Sequence, residues 1–173
     1  EKGYVTFGSF NNLSKVTNQV LKVWVEILRQ VPKSQLLLKA TQTLEQKEDI
    51  LSFLTESGIE ANRIALYNHI DSQVEHLKLY DSIDICLDPF PFNGATTTCE
   101  ALWMGVPVIT LLGDRHVSRV GASILANLGM EFLVAKSLGE YNQKAIALAA
   151  DIDTLSSLRK ELRKKMQRAP LCC

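Results

Sequence analysis

Short apolar runs alternate along this chain with longer amphipathic stretches. Residues 4–8 read as a first strand. In 16–31, Val20, Trp24 and Leu28 recur at helical spacing, joined by Leu21, Val25 and Ile27, and Pro32 ends the helix they predict. A second strand covers 35–39. Thr43 is placed to cap a helix running to 56, with Ile50, Leu51 and Leu54 on its buried face and Gly58 just past its end. A third strand at 63–67 leads to a short helix capped by Ser72 and reaching Tyr80. The pattern continues with a strand at 83–87, a helix at 96–104 closed by Gly105, a strand at 107–111 and a helix at 118–128 ended by Gly129. A sixth strand is expected at 132–134. Helices at 138–150 and 153–168 finish the chain, the last with Leu155, Leu158, Leu162 and Met166 on one stripe.

Strands separated by helices predict βαβ units. The near-continuous apolar character of each strand predicts burial on both sides. The expected class is α/β: a Rossmann-like, doubly wound parallel sheet of about six strands, with extra C-terminal helices. Ligands of such sheets bind at the carboxyl ends of the strands, where the strand order reverses.

Composition narrows the picture. The 173 residues suit one domain, and 46% hydrophobic with 22% charged residues excludes disorder. Zero net charge removes the basic excess expected of a nucleic-acid partner. No apolar run approaches the roughly 18 residues of a membrane span. The first residue is not Met, so 1–173 is expected to be one lobe excised from a longer protein. Cys86, Cys99, Cys172 and Cys173 form no CxxC pair and have no histidine at zinc spacing, which favours a reducing, cytoplasmic setting. Nothing in the sequence assigns a role to Cys172 and Cys173.

The turn after the first strand, Gly8-Ser9-Phe10-Asn11-Asn12-Leu13-Ser14-Lys15, lacks the dinucleotide fingerprint GxGxxG. Lys15 stands just before the predicted helix, where the macrodipole disfavours a cation and an anion would relieve the cost. It reads either as a phosphate partner or as a solvated lysine. The stretch Asn93-Gly94-Ala95-Thr96-Thr97-Thr98-Cys99-Glu100 is richer. Asn93-Gly94 permits a tight, left-handed turn. The first amides of the helix that follows have no internal partner and favour an anion. Glu100 shares a helix face with Thr96, and its carboxylate can accept from a pair of sugar hydroxyls. A diphosphate at the threonines with a ribose at Glu100 fits a nucleotide; an ordinary capped helix fits as well. His69 and His76 flank the turn after the third strand and can stack on a base or simply face solvent. His116 and Arg119 lie in a polar loop, where Arg119 reaches either an anion or Asp114. No Ser-His-Asp set, paired glycosidase carboxylates or Walker loop is legible.

The segments SFNNLSKV at 9–16, NRIALYN at 62–68, EHLKLYDSIDICLDPFPFNGATTTCEALWMGVPVITL at 75–111 and SRVGASILANLG at 118–129 resemble the O-GlcNAc transferase family, and more closely its bacterial members with tetratricopeptide repeats. The resemblance runs from residue 3 to about 170 and is most specific through NGATTTCEALWMGVPV. It implies the C-terminal, donor-binding lobe of a GT-B glycosyltransferase. The implied donor is a UDP-sugar, usually UDP-GlcNAc, and the acceptor a protein Ser or Thr. The implied partners are an N-terminal catalytic lobe and tetratricopeptide repeats of the same chain, and the 138–173 helices would pack on this lobe or its neighbour.

Residue by residue, Lys15 matches the essential lysine on the diphosphate, and Asn12 stands where animal enzymes have a glutamine facing phosphate. Thr96 and Thr97 match the paired threonines at the diphosphate. Glu100 stands where an aspartate holds the ribose, and His76 matches a histidine beside the uracil. Ile70 and Asp71 lie where backbone groups read the uracil edge. The implied reaction is displacement at the anomeric carbon with inversion, without a bound metal or other cofactor. Ala95, Leu79 and Gln73 depart from a family histidine, arginine and lysine. Two other readings stay open: another GT-B transferase, such as a protein N-glucosyltransferase, or a degenerate lobe kept for interactions.

Overall fold

The structure, a computed structural model, describes residues 3–39 and 43–170. Cys172 and Cys173 fall outside the described residues. Six parallel strands form one sheet in the order β3-β2-β1-β4-β5-β6. They are β1 (Thr6–Ser9), β2 (Gln35–Lys39), β3 (Ile64–Tyr67), β4 (Ile85–Leu87), β5 (Val108–Leu111) and β6 (Val134–Ala135). The helices are α1 (Asn18–Gln30), α2 (Leu44–Glu56), α3 (Gln73–Leu79), α4 (Thr96–Trp103), α5 (Val120–Asn127), α6 (Leu138–Ala150) and α7 (Ile152–Arg168). The order reverses between β1 and β4, which pair in parallel through Phe7 with Ile85 and Gly8 with Cys86. The loops leaving these two strands diverge and open a crevice at their carboxyl ends.

The apolar runs become strands because helices cover both faces. Phe7, Leu36, Leu38, Ile85, Leu87, Val108 and Ile109 are all fully buried. Side chains cap most of the helices: Thr17, Thr43, Ser72, Ser137 and Asp151 each accept from a first-turn amide. Gly58 ends α2 with a positive φ of 84°, the left-handed residue predicted there. The sixth strand sits slightly later than predicted, because a 3-10 turn at Glu131–Leu133 precedes it.

The C-terminal helices are part of this fold. Leu155, Leu158, Leu162 and Met166 are buried, and α7 lies against α4 while α6 lies against α1 and β5. Arg159 of α7 donates to the carbonyls of Ile83 and Tyr80 at 2.7 and 3.3 Å. Tyr141 of α6 is fully buried; its hydroxyl donates to the Asp88 carbonyl at 2.9 Å and accepts from Trp24 Nε1 at 3.4 Å. Tyr141→Phe leaves that carbonyl and the indole N–H unpaired in the interior. It should cost about 1–2 kcal/mol of stability, read from denaturant unfolding. An unchanged midpoint would mean that the phenol does not pin the end of β4.

Candidate functional site

The loop after β1 folds back as a 3-10 turn, Leu13–Lys15, capped by Asn12, whose Oδ1 accepts from Ser14 N at 2.9 Å. Helix α1 begins only at Asn18, with its own cap at Thr17. Lys15 therefore closes the 3-10 turn rather than heading the helix, and the helix-dipole cost expected for it does not arise. Its ammonium instead crosses the switch point. Nζ donates to the Asn93 carbonyl at 3.1 Å and lies 4.3 Å from the centre of the Phe92 ring. Desolvation holds it below the usual lysine range, against the opposing pull of Asp88.

On the other side of the crevice, the loop after β4 is built around Asp88. This carboxylate is fully buried. It accepts from Gly94 N at 2.7 Å through Oδ1 and from Thr110 Oγ1 at 2.6 Å through Oδ2. Burial pushes its pKa up to about 7, while the Thr110 and Gly94 hydrogen bonds and the Lys15 charge pull the other way. Gly94 does not supply the left-handed turn expected of it, since it is not among the positive-φ residues. The glycine is needed for closeness: a Cβ there would sit 2.8 Å from Asn11 Oδ1 and 2.9 Å from Thr98 Oγ1.

Helix α4 then starts without a side-chain cap, its N-cap being the exposed Ala95. The first intrahelical hydrogen bond is from Cys99 N to the Ala95 carbonyl, so the Thr96, Thr97 and Thr98 amides have no intrahelical acceptor. The ordinary capped helix weighed for this stretch is thus not what forms. Thr96 is exposed, Thr97 half-buried and Thr98 buried.

One turn along, Glu100 is the centre of a second group. Its Oε2 lies 3.0 Å from His76 Nε2 and accepts from the Tyr80 hydroxyl at 3.2 Å. His76 Nδ1 is 2.9 Å from Lys39 Nζ at the end of β2. Phe10, from the loop after β1, meets Tyr80 edge-on at 4.6 Å and His76 at 6.2 Å. Burial pushes the Tyr80 phenol well above its ordinary range, with Glu100 acting in the same direction, so it stays a donor.

The insertion of β4 beside β1 brings Lys15 to the loop just before Thr96, and His76 lies against Glu100. Ile70 packs against the core edge. Asp71 is fully exposed and pairs with His69 Nε2 at 3.3 Å. No described residue hydrogen-bonds to the Ile70 or Asp71 backbone, which is left to other partners. Arg119 forms no ion pair with Asp114 among the described residues. With Ala95 and His116 it borders an open cavity of about 680 Å³ beside the α4 start. Of the departing positions, Leu79 is only 9% exposed and belongs to the core, whereas Gln73 and Ala95 are exposed. Sequence reasoning missed Lys39, Tyr80 and Asp88. A signal existed for two of them, because Lys39 and Asp88 each close an otherwise apolar strand with a charge. Among the described residues no three His, Cys, Asp or Glu side chains converge, and no helix is long and apolar enough to cross a membrane.

The model of glycosyl transferase family 41 matches residues 2–172. A probable UDP-N-acetylglucosamine–peptide N-acetylglucosaminyltransferase, SPINDLY, of Solanum lycopersicum is 46% identical over 172 residues, a match covering 98% of this chain and 18% of that protein. A UDP-N-acetylglucosamine–peptide N-acetylglucosaminyltransferase of Caenorhabditis elegans is 36% identical over 155 residues, covering 90% of this chain and 13% of that one. Among solved structures, a mutant O-GlcNAc transferase of Thermobaculum terrenum superposes with a TM-score of 0.91 at 36% identity, covering 96% of this chain and 32% of that chain. The chain thus spans roughly a fifth of the length of these curated relatives or less.

Proposed function

The chain belongs to glycosyl transferase family 41, and from that premise we propose that it is the UDP-sugar-binding lobe of a protein O-glycosyltransferase. The observation that carries this reading is the uncapped start of α4, with Thr96 and Thr97, facing Lys15 across the reversal of strand order. Free amides, hydroxyls and a cation at one crevice form a seat for a diphosphate. Asn12 joins it from the Lys15 turn. Glu100, one turn deeper, takes the ribose hydroxyls. His76 stands on the base side, and the backbone at Ile70 and Asp71 meets the uracil edge.

In the reaction, an acceptor Ser or Thr oxygen forms a bond to the anomeric carbon as the bond from that carbon to the diphosphate oxygen breaks. The electron pair leaves with UDP, and the configuration inverts. The acceptor proton goes to a base from the rest of the enzyme. Charge grows on the departing diphosphate, where Lys15 and the α4 amides meet it, so they bind the transition state better than the ground state. No step assigned to this lobe calls on a metal. The sugar is read as GlcNAc because the relatives are named for UDP-N-acetylglucosamine. The remaining partners are a protein acceptor, an N-terminal catalytic lobe and tetratricopeptide repeats. A reducing, cytoplasmic setting suits the free thiols Cys86 and Cys99.

Calorimetric titration tests the seat. UDP should bind saturably and at least about tenfold more tightly than uridine, since the diphosphate adds charge-assisted hydrogen bonds. Equal affinity for the two would remove the diphosphate from this crevice.

A further inference from the structure

Lys39 ends the run Leu36-Leu37-Leu38-Lys39, yet the residue is only 7% exposed. A buried ammonium needs an acceptor. Among the described residues the one it meets is His76 Nδ1, at 2.9 Å. On the far side of the ring, Nε2 lies 3.0 Å from Glu100 Oε2, where the Tyr80 hydroxyl also arrives at 3.2 Å. His76 stands between a group that only donates and a group that only accepts.

That order assigns the protons. An ionised carboxylate accepts and cannot donate, so Nε2 carries the hydrogen. An ammonium donates and cannot accept, so Nδ1 offers its lone pair. With an ammonium at Nδ1 and a carboxylate at Nε2, the hydrogen-bonded arrangement is that of the Nε2–H tautomer. Two donors then converge on Oε2 of Glu100 and leave Oε1 for a ligand. The ring plane itself is held by Phe10 and Tyr80, whose centroids lie 6.2 and 5.6 Å away. What Lys39 adds is the direction of the hydrogen bonds rather than the place of the ring.

We propose that Lys39 is a positioning residue: its ammonium fixes the His76 tautomer, and through it aims the Glu100 carboxylate at the paired hydroxyls of a bound ribose. The ribose half rests on the nucleotide reading above; the tautomer half stands on this geometry alone. Without the ammonium, Nδ1 loses its donor. The ring can then carry its proton on either nitrogen, and in the Nδ1–H form its Nε2 lone pair faces Glu100. The carboxylate turns away, and discrimination for a ribose hydroxyl falls.

Two measurements on the same protein test this. The first is the ring nitrogen spectrum of His76, assigned by its loss in His76→Gln. Wild type should show the Nε2–H pattern, and Lys39→Met a mixture. An Nδ1–H or doubly protonated ring in wild type overturns the proposal without any variant. The second compares UDP with 2′-deoxy-UDP by titration. Wild type should prefer UDP by about tenfold. Lys39→Met should lose most of that preference while binding 2′-deoxy-UDP within about twofold of wild type, and Lys39→Arg, which still donates, should recover part of it. A Lys39→Met protein with the full preference and an unchanged ring spectrum overturns the proposal. If wild type binds neither nucleotide, the nucleotide reading and the ribose half fall together, and the spectrum still decides the tautomer.

Discussion

Lys15→Met should weaken UDP binding about a hundredfold while leaving the protein folded. Among the described residues the ammonium donates to the Asn93 carbonyl at 3.1 Å and lies 4.3 Å from the centre of the Phe92 ring. Neither compensates a full charge, and Lys15 pays some desolvation at its site. A diphosphate offers a far better partner. A hydrogen bond between ionised groups in a partly dry crevice contributes about 1.5–3 kcal/mol, which is on the order of a hundredfold in affinity at its upper end. Methionine keeps most of the apolar stem over Phe92, so the unfolding midpoint should stay near that of wild type. The exposed Lys22 is the control; Lys22→Met should change affinity less than about twofold. Equal losses from both variants would point to general attraction and not to a seat for phosphate.

The largest stability effect is expected from Asp88. Its folded pKa is about 7 against an ordinary 3.8. Between those values the folded chain keeps a proton that the unfolded chain has released. Stability therefore falls as pH rises through this window, and it levels off above about 7. At about 1.4 kcal/mol per unit, the fall reaches at most about 4 kcal/mol. Asp88→Asn removes the titrating group and keeps both hydrogen bonds, since the amide oxygen can accept from Gly94 N and its NH2 can donate to Thr110. Denaturant unfolding at pH 5 and pH 8 should show a smaller loss in the variant than in wild type. Identical pH slopes would place the Asp88 titration elsewhere. The coupling to Lys15 has a direction too: its charge helps Asp88 ionise, so Lys15→Met should shift the window upward.

Most of the fold was legible because strands buried on both faces leave unbroken apolar runs, and because Ser, Thr and Gly mark the helix ends. Strand order was not legible. Nothing in the periodicity of 83–87 says that this run inserts beside 6–9, and that insertion makes the crevice. The same gap explains the misreadings at the site. Gly94 looked like a turn residue, but its role is to admit Asn11 and Thr98, side chains from separate elements. Lys15 looked like a helix start because the local pattern cannot distinguish a 3-10 turn from the first turn of α1. The partners of Glu100 were half visible. His76 came through resemblance, whereas Tyr80, which donates to Glu100 directly, and Lys39, which reaches it through His76, come from elements that only tertiary structure brings together.

The pairing of β1 with β4 also bears on how the chain is made. Thr6 N meets the Asp84 carboxylate across 78 positions of sequence. A chain that has emerged from the ribosome only through β3 can already zip β1 to β2 and β2 to β3. It then presents the other side of β1 as a bare row of amides and carbonyls. Such an edge is a template for the wrong strand, and it stays open until β4 has been synthesised. The reversal of order that opens the crevice in the finished protein is thus the seam most exposed to mispairing while it is being built.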